Sequence, residues 1–108
     1  MNKHGFVRLC TVSQKIAVAN PRANAVEAIR ILGNVEEADI VLLPELSISG
    51  YTCADLFGNE ELLNAAEEAT VDVVNATAGQ QQLVVLGVPL RFGNSLFNTA
   101  VVIDDGRI

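Results

Sequence analysis

Val41-Leu42-Leu43-Pro44-Glu45-Leu46-Ser47-Ile48-Ser49-Gly50-Tyr51-Thr52 is the stretch on which the fold turns. An apolar strand ends at a proline, one carboxylate follows at once, and the chain leaves through small residues. A strand that is apolar on both faces must be covered on both sides, so its end is where it meets a cleft or solvent. In open α/β sheets ligands collect beyond the carboxyl ends of the strands. Glu45 stands at such an end, where a general base would be well placed. Spacing alone would equally allow a carboxylate that caps nearby backbone N–H groups. The flanking residues favour the site. Pro44 removes a donor and biases Leu43 toward extended geometry, and Ser49-Gly50 permits a tight turn that presents Tyr51 nearby.

Working outward, Phe6 to Ser13 alternates and is rich in β-formers, which predicts a first strand. Asn20-Pro21 is a helix start, with Asn as N-cap and Pro at the first helical position. Ala25, Val26, Ile29 and Leu32 follow at helical spacing and end near Gly33. Ile40 to Leu43 is the second strand. Leu62, Ala66, Ala69 and Val73 mark an amphipathic helix, with Glu60, Glu61, Glu67 and Glu68 largely on its other side. Leu83 to Leu90 is a third strand, apolar on both faces. The order β-α-β-α-β with long crossovers implies parallel strands in an α/β layered domain.

Leu96 to Ile103 reads as a further strand, and Asp104-Asp105-Gly106 as a hairpin turn. Only Arg107 and Ile108 follow, so the return strand of that hairpin is missing and an edge is left unpaired. The expectation is that residues 1–108 are the N-terminal fragment of one longer domain.

Bulk properties narrow the function. Half of the residues are hydrophobic, and no low-complexity tract or fixed-period repeat appears. The formal charge of −6 comes from thirteen acidic and seven basic residues, and no basic stripe exists for binding nucleic acid. No apolar run approaches the ~18 residues of a membrane span. No secretory signal is legible at the N-terminus. Cys10 and Cys53 form no disulfide framework, zinc motif or CxxC pair and read as buried free thiols, which fits a cytoplasmic location. No metal site is expected.

Leu43-Pro44-Glu45-Leu46 through Ser49-Gly50-Tyr51-Thr52 resembles the glutamate motif of the nitrilase, or carbon–nitrogen hydrolase, superfamily. The longer run Ser49-Gly50-Tyr51-Thr52-Cys53-Ala54-Asp55-Leu56-Phe57 is similar to the glutaminase domain of glutamine-dependent NAD+ synthetases. His4-Gly5-Phe6-Val7-Arg8 and Phe97-Asn98-Thr99-Ala100-Val101 agree with that group. The resemblance implies a four-layer αββα sandwich, here only its N-terminal part: β-α-β-α-β plus a truncated hairpin. It also implies a Glu-Lys-Cys triad. Glu45 matches the glutamate and would be the general base for a cysteine thiol that attacks the carboxamide of glutamine, the thiolate being the reactive form. The lysine would stabilise the tetrahedral oxyanion.

The family lysine and cysteine fall beyond Ile108. Lys3, Lys15, Cys10 and Cys53 do not match their motif positions, so the fragment by itself is expected to be inactive. Tyr51 matches a tyrosine that binds substrate in the glutamine pocket, or else packs as a rim residue on the following turn. Asn98 reads as a strand residue bonding its neighbouring loop rather than as a pocket amide, and His4 as solvent-exposed. The resemblance further implies glutamine as substrate, the remainder of the same chain as partner, a homo-oligomer when intact, and no cofactor in this fragment. ATP and Mg2+ would belong to a synthetase domain, for which there is no phosphate-binding glycine-rich loop here. A stand-alone amidohydrolase of another small amide and a non-catalytic scaffold domain are the competing readings.

Overall fold

The computed structural model describes residues 5–108, so the reading of His4 lies outside the described residues. Its elements are β1 (Leu9–Thr11), α1 (Pro21–Asn34), β2 (Ile40–Leu42), a 3-10 turn (Ala54–Gly58), α2 (Glu60–Ala76), β3 (Leu83–Phe92) and β4 (Ser95–Asp104). The four strands form one mixed sheet in the order β1-β2-β3-β4. The first three are parallel, with Cys10 beside Val41 and Val41 beside Val84. Each crossover steps the same way across the sheet, and right-handed connections then put both helices on one face.

The fourth strand is present as its sequence predicts, and the structure adds its orientation. It runs antiparallel to β3, from Leu83 opposite Asp104 to Phe92 opposite Ser95. The connecting loop is Gly93-Asn94, with Gly93 at φ 62°, the left-handed first position that a two-residue hairpin of the II′ kind requires. The Asp104-Asp105-Gly106 turn is also present. Asp105 and Gly106 both have positive φ, and the Asp104 and Arg107 backbones exchange hydrogen bonds of 2.8 and 3.1 Å.

α1 begins as its sequence predicts, with the Asn20 side chain accepting from the Ala23 N–H and Pro21 in the first turn. Its buried stripe is Ala25, Ala28 and Leu32, whereas Val26 is 64% exposed. Val26 sits about 100° around the helix from Ala25, so the three-and-four spacing from Ala25 runs through Ala28 and Ile29 instead. In α2 the predicted Leu62, Ala66, Ala69 and Val73 are all buried, and the four glutamates are exposed. Alanines on both stripes let the helices pack closely over Val41, Val84, Leu86, Val88, Val101 and Ile103. Full burial of each Val, Leu or Ile contributes roughly 1.5–3 kcal/mol.

β1 is shorter than the alternation of Phe6 to Ser13 suggests, because its neighbour β2 offers only three ladder positions before Pro44. The ladder still extends slightly through Val12 N–H to the Leu42 carbonyl (2.9 Å) and Leu43 N–H to that of Val85 (3.0 Å). The sheet face opposite the helices carries Leu9, Leu42 and Val102, each more than two-fifths exposed. The described residues thus supply one helix layer and one sheet layer, with an apolar sheet face left open. Among them no helix is long and apolar enough to cross a membrane.

Candidate active site

Past Pro44 the chain folds into a tight loop rather than a helix. Ser47 N–H donates to the Pro44 carbonyl (3.1 Å) and Gly50 N–H to that of Leu46 (2.8 Å). Leu46 adopts φ 51°, a left-handed conformation that costs a residue with a Cβ about 1–2 kcal/mol. Its buried side chain offsets that cost.

This loop lies directly on β3 at Gly87. A Cβ at Gly87 would come within 2.5 Å of the Pro44 carbonyl oxygen and 2.9 Å of the Glu45 carbonyl carbon, and closer still to the Leu46 nitrogen. Glycine is therefore needed there because another backbone occupies the space. The Gly87 carbonyl accepts from Ile48 N–H (3.1 Å) and from the Ser47 hydroxyl (3.4 Å), and Gly87 N–H donates to Ser47 Oγ (3.3 Å). An isolated glycine in an apolar strand is the signal that could have found it from sequence.

From the other side the loop is held by Asn24 of α1, which is 1% exposed. Its amide donates to the Ala17 and Ile48 carbonyls and its oxygen accepts from Ala17 N–H, all at 2.8 Å. Ala19 N–H adds a 2.7 Å bond to the Ser49 carbonyl. The backbone that carries Glu45 is fixed on both sides while its side chain stays exposed.

The Glu45 carboxylate stands at the wall of a cleft of about 470 Å³ on the open sheet face, floored by Thr11, Leu42, Val85 and Ala100. Asn98 lines the same cleft, and its Nδ2 donates to Glu45 Oε1 at 2.5 Å. Asn98, which the sequence reads as a strand residue bonding its neighbouring loop rather than as a pocket amide, is a cleft-lining amide bonded to the Glu45 side chain. Asn98 is opposite Pro89 in the β3–β4 register and 53 positions from Glu45, a juxtaposition that only the hairpin creates.

Tyr51 lies beyond the Gly50 bend, is 68% exposed, and does not line this cleft. Cys53 is buried, with Sγ 3.2 Å from the Ser49 carbonyl oxygen. Cys10 is half-buried and packs against the helix-side core. Neither thiol lines the cleft. The ion pairs among the described residues, Arg30–Glu27 and Arg91–Glu60, leave Glu45 aside. No group of three or more His, Cys, Asp or Glu side chains among them could hold a metal ion.

The family model for carbon-nitrogen hydrolases matches residues 7–108. The chain belongs to the carbon-nitrogen hydrolase family. This carbon-nitrogen hydrolase sequence is similar to the glutamine-dependent NAD(+) synthetase of Mycobacterium bovis, with 34% identity over 108 residues, 98% of this chain and 16% of the relative. It is 33% identical over 106 residues to the synthetase of Mycobacterium leprae, again covering 16% of that protein. The chain thus spans about one-sixth of the length of these curated relatives. The fold is similar to the glutamine-dependent NAD(+) synthetase of Cytophaga hutchinsonii (TM-score 0.78, 26% identity, 93% of this chain and 17% of that one). It also matches the fold of the Acinetobacter baumannii synthetase solved with ADP (TM-score 0.85, 21% identity, 94% and 19%).

Proposed function

We propose that these residues form the first part of the glutaminase domain of a glutamine-dependent NAD+ synthetase, with Glu45 as its general base. The observation that carries this reading is the Glu45 carboxylate, held on a fixed loop at the wall of an open-face cleft, in a chain 34% identical to such a synthetase. A cysteine from the remainder of the chain gives its thiol proton to Glu45, and the thiolate attacks the carboxamide carbon of glutamine. A lysine, also from the remainder, stabilises the oxyanion. The tetrahedral adduct collapses, the C–N bond breaks, and the leaving amine takes the proton back from Glu45 as ammonia. Glu45 then accepts a proton from water as that water attacks the thioester, which releases glutamate and restores the thiol.

In the same reading Tyr51 contacts glutamine once the rest of the domain closes the cleft, and the open apolar sheet face receives that remainder. The isolated 108 residues are inactive, since neither Cys10 nor Cys53 lines the Glu45 cleft. ATP and Mg2+ act in a synthetase region elsewhere. The described residues offer no metal-ligand cluster and no phosphate loop for them, so no step here runs through either. A cytoplasmic, self-associating enzyme completes the proposal.

The test is Glu45→Gln in the intact enzyme. Glutamine-driven turnover should fall by about 10²- to 10⁴-fold while turnover with added ammonia survives. Glutamine-driven turnover within about twofold of wild type would overturn the base assignment.

A further inference from the structure

We infer that Asn98 is a positioning residue for the Glu45 carboxylate, fixing one oxygen so that the other faces the reacting thiol and water. The inference rests on the proposed glutaminase reading and adds a residue to it. A glutamate has three side-chain torsions, and on an exposed surface it samples many rotamers. A base that must meet a thiol and then a water at hydrogen-bond distance gains rate from being held in one. The Glu45 backbone is already fixed over Gly87, and no lysine or arginine pairs with its side chain among the described residues. The Asn98 amide at Oε1 is the contact that restrains it. A carboxylate has lone pairs on both oxygens, so a donor at Oε1 leaves Oε2 available as the proton acceptor.

Asn98 is itself on a rigid element. It pairs with Pro89, and the next residue, Thr99, hydroxyl-bonds the Val88 carbonyl across the ladder at 2.7 Å. Gly87 turns its N–H and carbonyl toward the Glu45 loop, and Pro89, two residues on, presents the same edge. Its missing N–H therefore removes no rung to β4. The two-residue period also puts Asn98 on the cleft face with Ala100. The hairpin thus delivers an amide donor to the carboxylate from a strand 53 positions along the chain from Glu45.

The test compares Asn98→Ala, Asn98→Asp and Glu45→Gln in the intact enzyme. For Asn98→Ala, glutamine-driven kcat should fall about 10- to 100-fold, with KM for glutamine within about threefold and ammonia-driven turnover unchanged. Asn98→Asp, nearly the same size, should fall further, because a carboxylate then faces a carboxylate. A space-filling role predicts the opposite order and a matching loss of thermal stability. If Asn98→Ala does not fold, the isosteric Asn98→Asp carries the test alone. Full glutamine-driven kcat in Asn98→Asp, or a loss confined to KM, overturns the inference. If Glu45→Gln abolishes that turnover while both Asn98 variants keep it, only this inference fails. If Glu45→Gln keeps it, the glutaminase reading fails as well.

Discussion

Gly87 lies directly beneath Glu45: a methyl group added to it would stand 2.5 Å from the Pro44 carbonyl oxygen and 2.9 Å from the Glu45 carbonyl carbon. The loop that carries the carboxylate closes onto the middle of β3 and takes both free backbone groups of Gly87, through Ser47 and Ile48. The loop serves β3 in place of the ladder partner that β2 stops providing after Leu42.

Gly87→Ala should therefore destabilise the protein by about 1–3 kcal/mol, the range for overpacking a filled site. Glutamine-driven turnover should fall more than ammonia-driven turnover, because the added methyl displaces the Glu45 backbone. Thermal unfolding and paired kinetic assays check this. A stability change below about 0.5 kcal/mol would show that the loop is not seated on the strand as described.

Asn24→Ala should cost more than Asn20→Ala, although both asparagines belong to the start of α1. Asn20 caps with one bond, to Ala23 N–H, and its loss costs typically about 1 kcal/mol. Asn24 is buried with three bonds, and truncation leaves the Ala17 N–H and the Ile48 carbonyl without partners, while the Ala17 carbonyl keeps its bond from Asn20 N–H. The buried Ile48 carbonyl left without a donor costs about 1–3 kcal/mol. Urea unfolding of the two variants orders them, and an equal or reversed order would refute the account.

Cys53 should behave as a packing residue. It is 3% exposed and its sulfur contacts the Ser49 and Gly50 carbonyls. Thiol labelling of the folded protein should reach Cys10 well before Cys53, and Cys53→Ala should keep glutamine-driven turnover within about threefold of wild type, with a modest loss of stability. Loss of that turnover with folding intact would instead make Cys53 part of the chemistry.

Glu27 should titrate below the usual carboxylate range, chiefly because the Arg30 side chain hydrogen-bonds it and further because of the Arg30 charge. Its folded value is then depressed. The stabilisation is present above the unfolded value of about 4.3 and is lost as pH falls through the folded value. The pair is solvent-exposed, so its effect on stability is small and is screened by salt. An NMR titration should show Glu27 returning toward the ordinary range in Arg30→Gln. No change would mean the pair does not form in solution.

Much of this architecture was legible from local chemistry. Asn20-Pro21 sets the start of α1, the spacing of Leu62, Ala66, Ala69 and Val73 sets the face of α2, and Asp104-Asp105-Gly106 sets its turn. These signals act over a few residues through capping, helical period and permitted φ, and so survive without knowledge of neighbours. Glu45 was legible for the same reason: strand, proline and carboxylate are contiguous. The antiparallel return of β4 is not legible along the chain, because Gly93-Asn94 is a short signal between two apolar runs that each read as a strand in isolation. Val26 stands among the apolar residues at helical spacing yet is exposed, because apolar character alone does not rank positions around a helix.

Contiguous residues thus specified the strands, the helices and the carboxylate at the end of β2. The partners of that carboxylate came from elsewhere: Asn98 across the hairpin, Gly87 beneath it, Asn24 behind its loop. Each meets the Glu45 loop across 24 to 53 positions of sequence. Strand register and close backbone approach are properties of packed layers, and no short-range preference along the chain encodes which side chain a glutamate will find opposite it.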